Sequence, residues 1–284
     1  MALESSNRKF ERLLKDLASS STLLVAFSGG VDSAFLLAAA QLALGNGVTA
    51  VTAVSPLFPA REARSAADFC RKRRISQVTF PFEALETPAF LANGPDRCYH
   101  CKKALSFGLL KIAEARGIRR VAHGANADDR DDHRPGLRAA REVGIAAPLL
   151  DAGLRKEEIR ALSLDMGLST WDRPSRACLA SRVPYGVPVT AVRLEQIDRA
   201  EAFLEEAGFA QVRVRHHGDV ARVEVPKSDI PRFLEGGLSE AVVRALEDAG
   251  FLHVTLDLGG YVSGSMNRGI SKGKSRREGP PETV

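Results

Sequence analysis

The sequence predicts an α/β fold: a doubly wound parallel sheet followed by a smaller C-terminal α+β domain. Three observations predict it. Apolar runs of strand length alternate with helical stretches over residues 10–124, a glycine-bearing polar turn separates the first run from the helix after it, and the rhythm changes after about Ser181. A composition of 44% hydrophobic and 26% charged residues supports a packed core rather than disorder.

Taken in order, Phe10–Leu17 reads as a short amphipathic helix that ends in the polar Ser19–Thr22. Leu23–Phe27 is a compact apolar run, Ser28–Ser33 a polar turn and Ala34–Leu44 a helix rich in Ala and Leu, the order in which a parallel sheet begins. Val48–Val54 is a second strand, Ala60–Arg73 a helix and Gln77–Phe82 a third strand. Lys102–Arg116 is another helix and Arg119–Gly124 a fourth strand. Ligands of such sheets bind at the C-terminal ends of the strands. Beyond Ser181, Val192–Ala207 is a helix stopped by Gly208. Gln211–Arg215 and Ala221–Val225 alternate as antiparallel strands joined across His216–Asp219. Ile230–Ala249 is helical with a break at Gly236–Gly237, and His253–Leu258 is the last strand. The expected domains are therefore 1–181, 182–262 and a basic, disordered tail, 263–284.

Charge and cysteine usage narrow the function classes. The net charge of +5 is concentrated in that tail, at Lys272, Lys274, Arg276 and Arg277, so the body lacks the broad basic surface of a nucleic-acid binder. No apolar run reaches the roughly 20 residues of a membrane span, and Met1–Arg12 has no apolar signal core, so a cytoplasmic protein is expected. Without a secretory signal, the 4 cysteines point to metal or redox chemistry rather than disulfides.

Ser28-Gly29-Gly30-Val31-Asp32-Ser33 carries the strongest chemical signal. Two glycines let the backbone approach an anion, the following helix N-terminus offers unpaired N–H groups, and two serines add hydroxyls. The turn lacks the Gly-Lys-Ser/Thr ending of the common nucleoside-triphosphate loop and the third glycine of a dinucleotide fingerprint. Gly124-Ala125-Asn126-Ala127-Asp128-Asp129 follows the fourth strand and offers carboxylates of the kind Mg²⁺ prefers. Cys98 and Cys101 form a Cys-x-x-Cys at a helix start, and Cys178 lies among Arg and Ser residues in Pro174–Gly186, surroundings that favour a thiolate. Three such cysteines without a good fourth fit an iron–sulfur cluster with one open iron better than structural zinc, and Cys70 reads as core packing.

The hexapeptide resembles the PP-loop of the ATP-pyrophosphatase superfamily, whose fold is of the adenine-nucleotide alpha-hydrolase (HUP) type. That resemblance implies ATP held by Ser28, Gly29, Gly30, Asp32 and Ser33, with Ser55 near adenine, Gly124 and Asn126 on the downstream loop, and Mg²⁺ on Asp32, Asp128 and Asp129. With Arg97–Lys102, Pro174–Gly186 and the His-His-Gly-Asp turn in Val212–Glu224, the chain is similar to the LarE-type ATP-dependent sulfur transferases over most of residues 10–262. Members of that family adenylate a carboxylate of a pyridinium-dicarboxylate mononucleotide and place sulfur there, towards the nickel-pincer nucleotide cofactor of lactate racemase. The presence of Cys98 and Cys101 beside Cys178 resembles the branch in which three cysteines hold a [4Fe-4S] cluster. The resemblance further implies substrate contacts from Arg182, Tyr185, Arg213 and Arg215, a role for Glu201 near Cys178, and a homo-oligomer, a hexamer. A tRNA thiolase or an ammonia-dependent amide ligase on the same loop is the alternative. The charge distribution speaks against the first, and the second leaves Cys178 without a task.

Overall fold

The computed structural model describes residues 2–130, 135–174, 176–262 and 264; apart from Gly264, the expected basic tail lies outside them. The chain forms two units, one of Met1–Phe90 and Asp96–Arg176, the other of Leu91–Pro95 and the chain from Ala177 onward.

The first unit opens with helix α1 (Ala2–Ala18), which starts well before the apolar stripe that begins at Phe10. Its polar first turns are held from a distance: Lys9 Nζ donates to both oxygens of Glu158 at 2.8 Å and Ser6 Oγ to Oε1 at 3.1 Å. Strand β1 (Leu23–Ala26) leads into helix α2 (Val31–Leu44), followed by β2 (Val48–Val54), α3 (Ala60–Arg73) and β3 (Ser76–Pro81). After the short α4 (Pro88–Leu91) come α5 (Arg97–Ala115), β4 (Val121–His123), α6 (Pro135–Glu142), α7 (Pro148–Asp151) and α8 (Lys156–Asp165). Helix α5 begins five residues earlier than its apolar periodicity indicates, because the Asp96 carbonyl accepts the Tyr99 and His100 N–H groups and starts the first turn there.

The sheet order is β3-β2-β1-β4, all parallel, and an isolated parallel bridge from Ala122 to Ala146 extends the β4 edge. The chain winds one way from β1 through β2 to β3, then returns to the other side of β1 as β4. The strand order thus reverses between β1 and β4, where an open α/β sheet builds its binding crevice. Side chains of β1 alternate between two cores: Leu23 and Val25 pack with α1 and α2, and Leu24 with Leu109 and Ala113 of α5. Helix α2 is apolar on nearly every side and buried from Ser33 to Ala40, so its N-terminus is firmly seated.

In the second unit a 3₁₀ turn, Leu179–Arg182, precedes α9 (Ala191–Glu206), whose N-cap Thr190 accepts the Arg193 N–H. The hairpin β5 (Arg213–His217) and β6 (Val220–Glu224) turns through Gly218, at φ 68°. A second 3₁₀ segment, Lys227–Leu234, and α10 (Leu238–Asp248) then lead to β7 (His253–Leu256), which pairs parallel to β6. The sheet, ordered β5-β6-β7, closes over a core that includes Leu204, Phe209, Val214, Val223 and Phe251. Asn93 is fully buried in this unit with φ 51°; its side-chain amide donates to the Pro184 and Val187 carbonyls at 2.8 and 2.7 Å, and its backbone carbonyl accepts the Gly186 N–H. Among the described residues no helix is long and apolar enough to cross a membrane.

Candidate active site

The polar turn after β1 lies at the reversal point of the sheet, at the N-terminus of α2. Gly29 has φ 78°, a left-handed conformation that glycine adopts without strain, and its Cα faces Ala66 of α3. The hydroxyls of Ser28 and Ser33 lie 3.1 Å apart, and Ser33 Oγ donates to the Gly30 carbonyl. Gly30 caps α2 with no side-chain hydrogen bond, and a helix N-terminus of this kind suits an anion. The loop after β4 approaches closely. A Cβ on Gly124 would stand 2.8 Å from the Ser33 nitrogen and 3.0 Å from the Asp32 carbonyl carbon.

On that loop Asn126 is buried, and its Oδ1 accepts the Asp128 N–H while its own N–H bonds Asp129 Oδ2 at 2.9 Å. One oxygen of Asp129 therefore serves the loop backbone, and Asp128 Oδ2 accepts the Lys156 N–H at 2.8 Å. Ser55, at the end of β2, is buried with Oγ 3.4 Å from the Leu57 N–H. Asp32 differs from the other two acids. Its Oδ2 meets Lys156 Nζ at 2.6 Å, while its buried Oδ1 has no hydrogen-bond partner among the described residues.

Two residues that sequence reasoning missed therefore belong to this site. Lys156 reaches the loop from the first turn of α8, and Arg173 Nη1 donates to the Gly29 carbonyl at 3.2 Å. A sequence signal existed for Lys156: Arg155 and Lys156 stand at a helix N-terminus, where the macrodipole disfavours cations. Their placement is explained by the carboxylates they face, since Arg155 also lies 3.7 Å from Asp128 Oδ1. His123, the last residue of β4, is buried, and burial together with the Lys102 charge pushes its imidazole down to about 3, so the ring is neutral.

Cys98 and Cys101 fall in the first turns of α5, three residues apart and so on one helix face, the first exposed and the second half-buried. Cys70 is buried in the core, where desolvation pushes its thiol up to about 12 and leaves it inert. Among the described residues no three His, Cys, Asp or Glu side chains gather as a metal site.

Cys178 belongs to the second unit, half-buried at the N-cap of the 3₁₀ turn Leu179–Arg182. The expected substrate-binding arginines are not on an open face: Arg182, Arg213 and Arg215 are only 2%, 6% and 5% exposed. Arg182 pairs with Glu201 through two bonds of 2.8 Å, and its Nη1 also reaches the carbonyls of Ala177 and Cys178 and the hydroxyl of Ser181. Glu201, 1% exposed, accepts the Val214 N–H as well. Arg215 donates through Nε and Nη2 to Glu224 Oε2, and through Nη1 to the Ser181 carbonyl. Arg222 bonds the other Glu224 oxygen and lies 3.5 Å from Asp257. Arg213 stacks over Tyr261 at 5.6 Å, and its pKa is lowered by burial and then by the positive charge of Arg182. Arg182, Arg213, Arg215 and Arg222 thus lie in one network with Glu201, Glu224 and Asp257. Tyr185 is half-buried in the turn held by Asn93.

No protein-family model matches the chain. It is 38% identical, over 93% of its length and 98% of the relative's, to an uncharacterised protein of Synechocystis. It is also 38% identical to the pyridinium-3,5-bisthiocarboxylic acid mononucleotide synthase of Lactiplantibacillus plantarum, over 91% of this chain and 92% of that enzyme. An uncharacterised protein of Methanocaldococcus jannaschii is 26% identical over 90% of the chain and 96% of its own length. Identity of this extent, over 92% of the synthase, places the chain in the family of LarE-type sulfur transferases.

Proposed function

We propose that the chain is an ATP-dependent sulfur transferase that adenylates a carboxylate of pyridinium-3,5-biscarboxylate mononucleotide and exchanges the activated oxygen for sulfur. The product is the thiocarboxylate precursor of the nickel-pincer nucleotide. The observation that carries the adenylation step is the glycine turn at the reversal point of the sheet, with Asp32, Lys156 and Arg173 around it.

In the first step a substrate carboxylate oxygen attacks the α-phosphorus of ATP. An O–P bond forms, the bond from the α-phosphorus to the bridging oxygen breaks, and pyrophosphate leaves. The first-turn N–H groups of α2, Gly29, Gly30 and the hydroxyls of Ser28 and Ser33 receive that pyrophosphate, with Lys156 adding charge and Ser55 lying towards adenine. The unpartnered Oδ1 of Asp32 fits Mg²⁺, with Asp128 and Asp129 nearby in the loop of Gly124 and Asn126. Mg²⁺ neutralises phosphate charge when bound.

In the second step sulfur attacks the acyl carbon, a C–S bond forms and the C–O bond to AMP breaks. AMP makes the oxygen a good leaving group, which a free carboxylate lacks. By the family resemblance, Arg213 and Arg215 hold the phosphate of the mononucleotide, and Tyr185 borders it. By the same resemblance Cys98, Cys101 and Cys178 would hold a [4Fe-4S] cluster that supplies exchangeable sulfide, and thiolates suit such a soft metal centre. A cytoplasmic homo-oligomer, a hexamer, completes the reading.

The test is pyrophosphate release when ATP, Mg²⁺ and the mononucleotide are mixed with the protein. Wild type releases it in step with substrate consumption, and Asp32→Ala or Ser33→Ala releases none while melting as wild type does. Normal release from either variant removes the loop from the mechanism.

A further inference from the structure

The buried arginine cluster divides its work unevenly. Arg182 sits four residues after Cys178, at the end of the 3₁₀ turn that Cys178 caps. One edge of its guanidinium is taken by Glu201, through Nε to Oε1 and Nη2 to Oε2, both at 2.8 Å. The third nitrogen, Nη1, bonds the carbonyl of Ala177, the carbonyl of Cys178 at 2.9 Å and Ser181 Oγ at 3.0 Å. With 2% of its surface exposed, this side chain is packed against the backbone of the cysteine loop.

Glu201 shows how the clamp is anchored. It projects from α9, and the oxygen that takes Arg182 Nε also accepts the Val214 N–H of β5 at 2.9 Å. The cysteine loop is thereby referred to one helix and one strand through a single planar fork. Arg215 fastens the same loop from the sheet, through the Ser181 carbonyl at 3.1 Å, and Glu224 holds Arg215 in turn. A buried ion pair is weak evidence for stability, because desolvation offsets much of the attraction. Its geometric content is high: a guanidinium fork fixes direction as well as distance, which a lysine ammonium does not.

We propose that Arg182 is a positioning residue for Cys178, with Glu201 as its anchor, so that the pair sets where the sulfur-bearing loop stands without touching substrate. The inference rests on the sulfur-transfer reading above and assigns Arg182 and Glu201 to the second chemical step alone. Reacting groups held about 1 Å from their productive place lose on the order of a hundredfold in rate. Loss of the fork should therefore slow sulfur transfer by about that factor and leave adenylation untouched.

The experiment compares Arg182→Lys and Glu201→Gln with wild type in two assays on the full chain. One measures pyrophosphate formed from ATP and pyridinium-3,5-biscarboxylate mononucleotide, and the other the single-turnover appearance of thiocarboxylate. Both variants keep the size and polarity of the site, and their melting curves show whether they are folded. The expected result is pyrophosphate formation within about twofold of wild type, an unchanged KM for the mononucleotide and a thiocarboxylate rate down by about a hundredfold. Parallel loss of both activities, a raised KM with an unchanged rate, or no change in either assay overturns the positioning role. Unfolding of both conservative variants overturns it too, since the pair would then serve the fold. A wild-type chain that forms pyrophosphate but no thiocarboxylate, or neither, removes the sulfur-transfer reading and the inference with it.

Discussion

Gly124 offers the sharpest structural test of the nucleotide site, because a single methyl group there meets backbone rather than a movable side chain. A Cβ at this position would stand 2.8 Å from the Ser33 nitrogen and 3.0 Å from both the Asp32 carbonyl carbon and the Ser33 Cα. Those atoms belong to the first turn of α2, which is buried from Ser33 to Ala40 and has little room to retreat. Gly124→Ala must therefore push the loop after β4 off the glycine turn, and overpacking of this kind costs about 1–3 kcal/mol. At roughly 2–4 °C per kcal/mol for a unit of this size, the melting temperature should fall by about 2–12 °C. Gly30→Ala is the control: its Cβ meets only Ser28 Oγ, at 3.5 Å, and its φ of −77° suits any residue. It should melt within about 2 °C of wild type, as a substitution without clash costs a few tenths of a kcal/mol. Calorimetry with and without ATP reads both effects, and Gly124→Ala should also weaken ATP by moving Asn126 and Asp128. Equal melting of the two variants would refute the close approach of the two loops as the reason for glycine at this position.

Other expectations follow from the same geometry. Arg213→Ala should weaken the mononucleotide about tenfold to a hundredfold and ATP little, as loss of one charge-assisted phosphate contact does, and equal affinities by calorimetry would count against a phosphate role. Iron and sulfide analysis of anaerobically reconstituted protein should show one [4Fe-4S] cluster, lost in Cys98→Ala, Cys101→Ala and Cys178→Ala alike. Dehydroalanine at Cys178 after turnover, seen by intact mass, with full activity in Cys98→Ala, would replace the cluster by a sacrificed thiol. For His123 the sign follows from a folded pKa of about 3 below an ordinary value of 6.5. Below pH 6.5 the unfolded chain takes up a proton that the folded one refuses, so stability is fully present above 6.5 and declines as pH falls towards 3. The slope approaches about 1.4 kcal/mol per pH unit, and His123→Gln should flatten that limb in denaturant titrations between pH 6.5 and 4.

Local pattern made much of this legible. Val48–Val54 and Ala60–Arg73 are read from apolar runs and periodicity with the same bounds the structure has, and the loop after β1 is recognisable from its glycines and serines alone. The sequence is silent where a residue is held by something distant along the chain. The first turns of α1 are polar and lack a stripe, yet Lys9 and Ser6 are bonded to Glu158, about 150 residues on. Lys156 enters the site through Asp32, a partner that no spacing rule connects to it. The arginines of β5 alternate as an outward face would, but the positions opposite Arg213 and Arg215 in β6 are Glu224 and Arg222, and the diagonal pair Arg215–Glu224 is buried. Alternation gives the period of a strand and not which face is covered.

The placement of Asn93 has a practical consequence for dissecting the chain. The segment Leu91–Pro95 belongs with the residues from Ala177 onward, although the residues on either side of it belong to the other unit. No single cut therefore separates the two units intact. A fragment beginning at Ala177 would lack the amide that bridges the Pro184 and Val187 carbonyls and the carbonyl that takes the Gly186 N–H. Those groups would face solvent or stay unbonded in the turn that carries Tyr185. During synthesis, residues 91–95 leave the ribosome long before their partners exist and must wait for them. A workable fragment of the second unit needs circular permutation or a linker that carries Leu91–Pro95 along, and simple truncations should yield folded second-unit fragments far less often than the sheet order alone would lead a designer to expect.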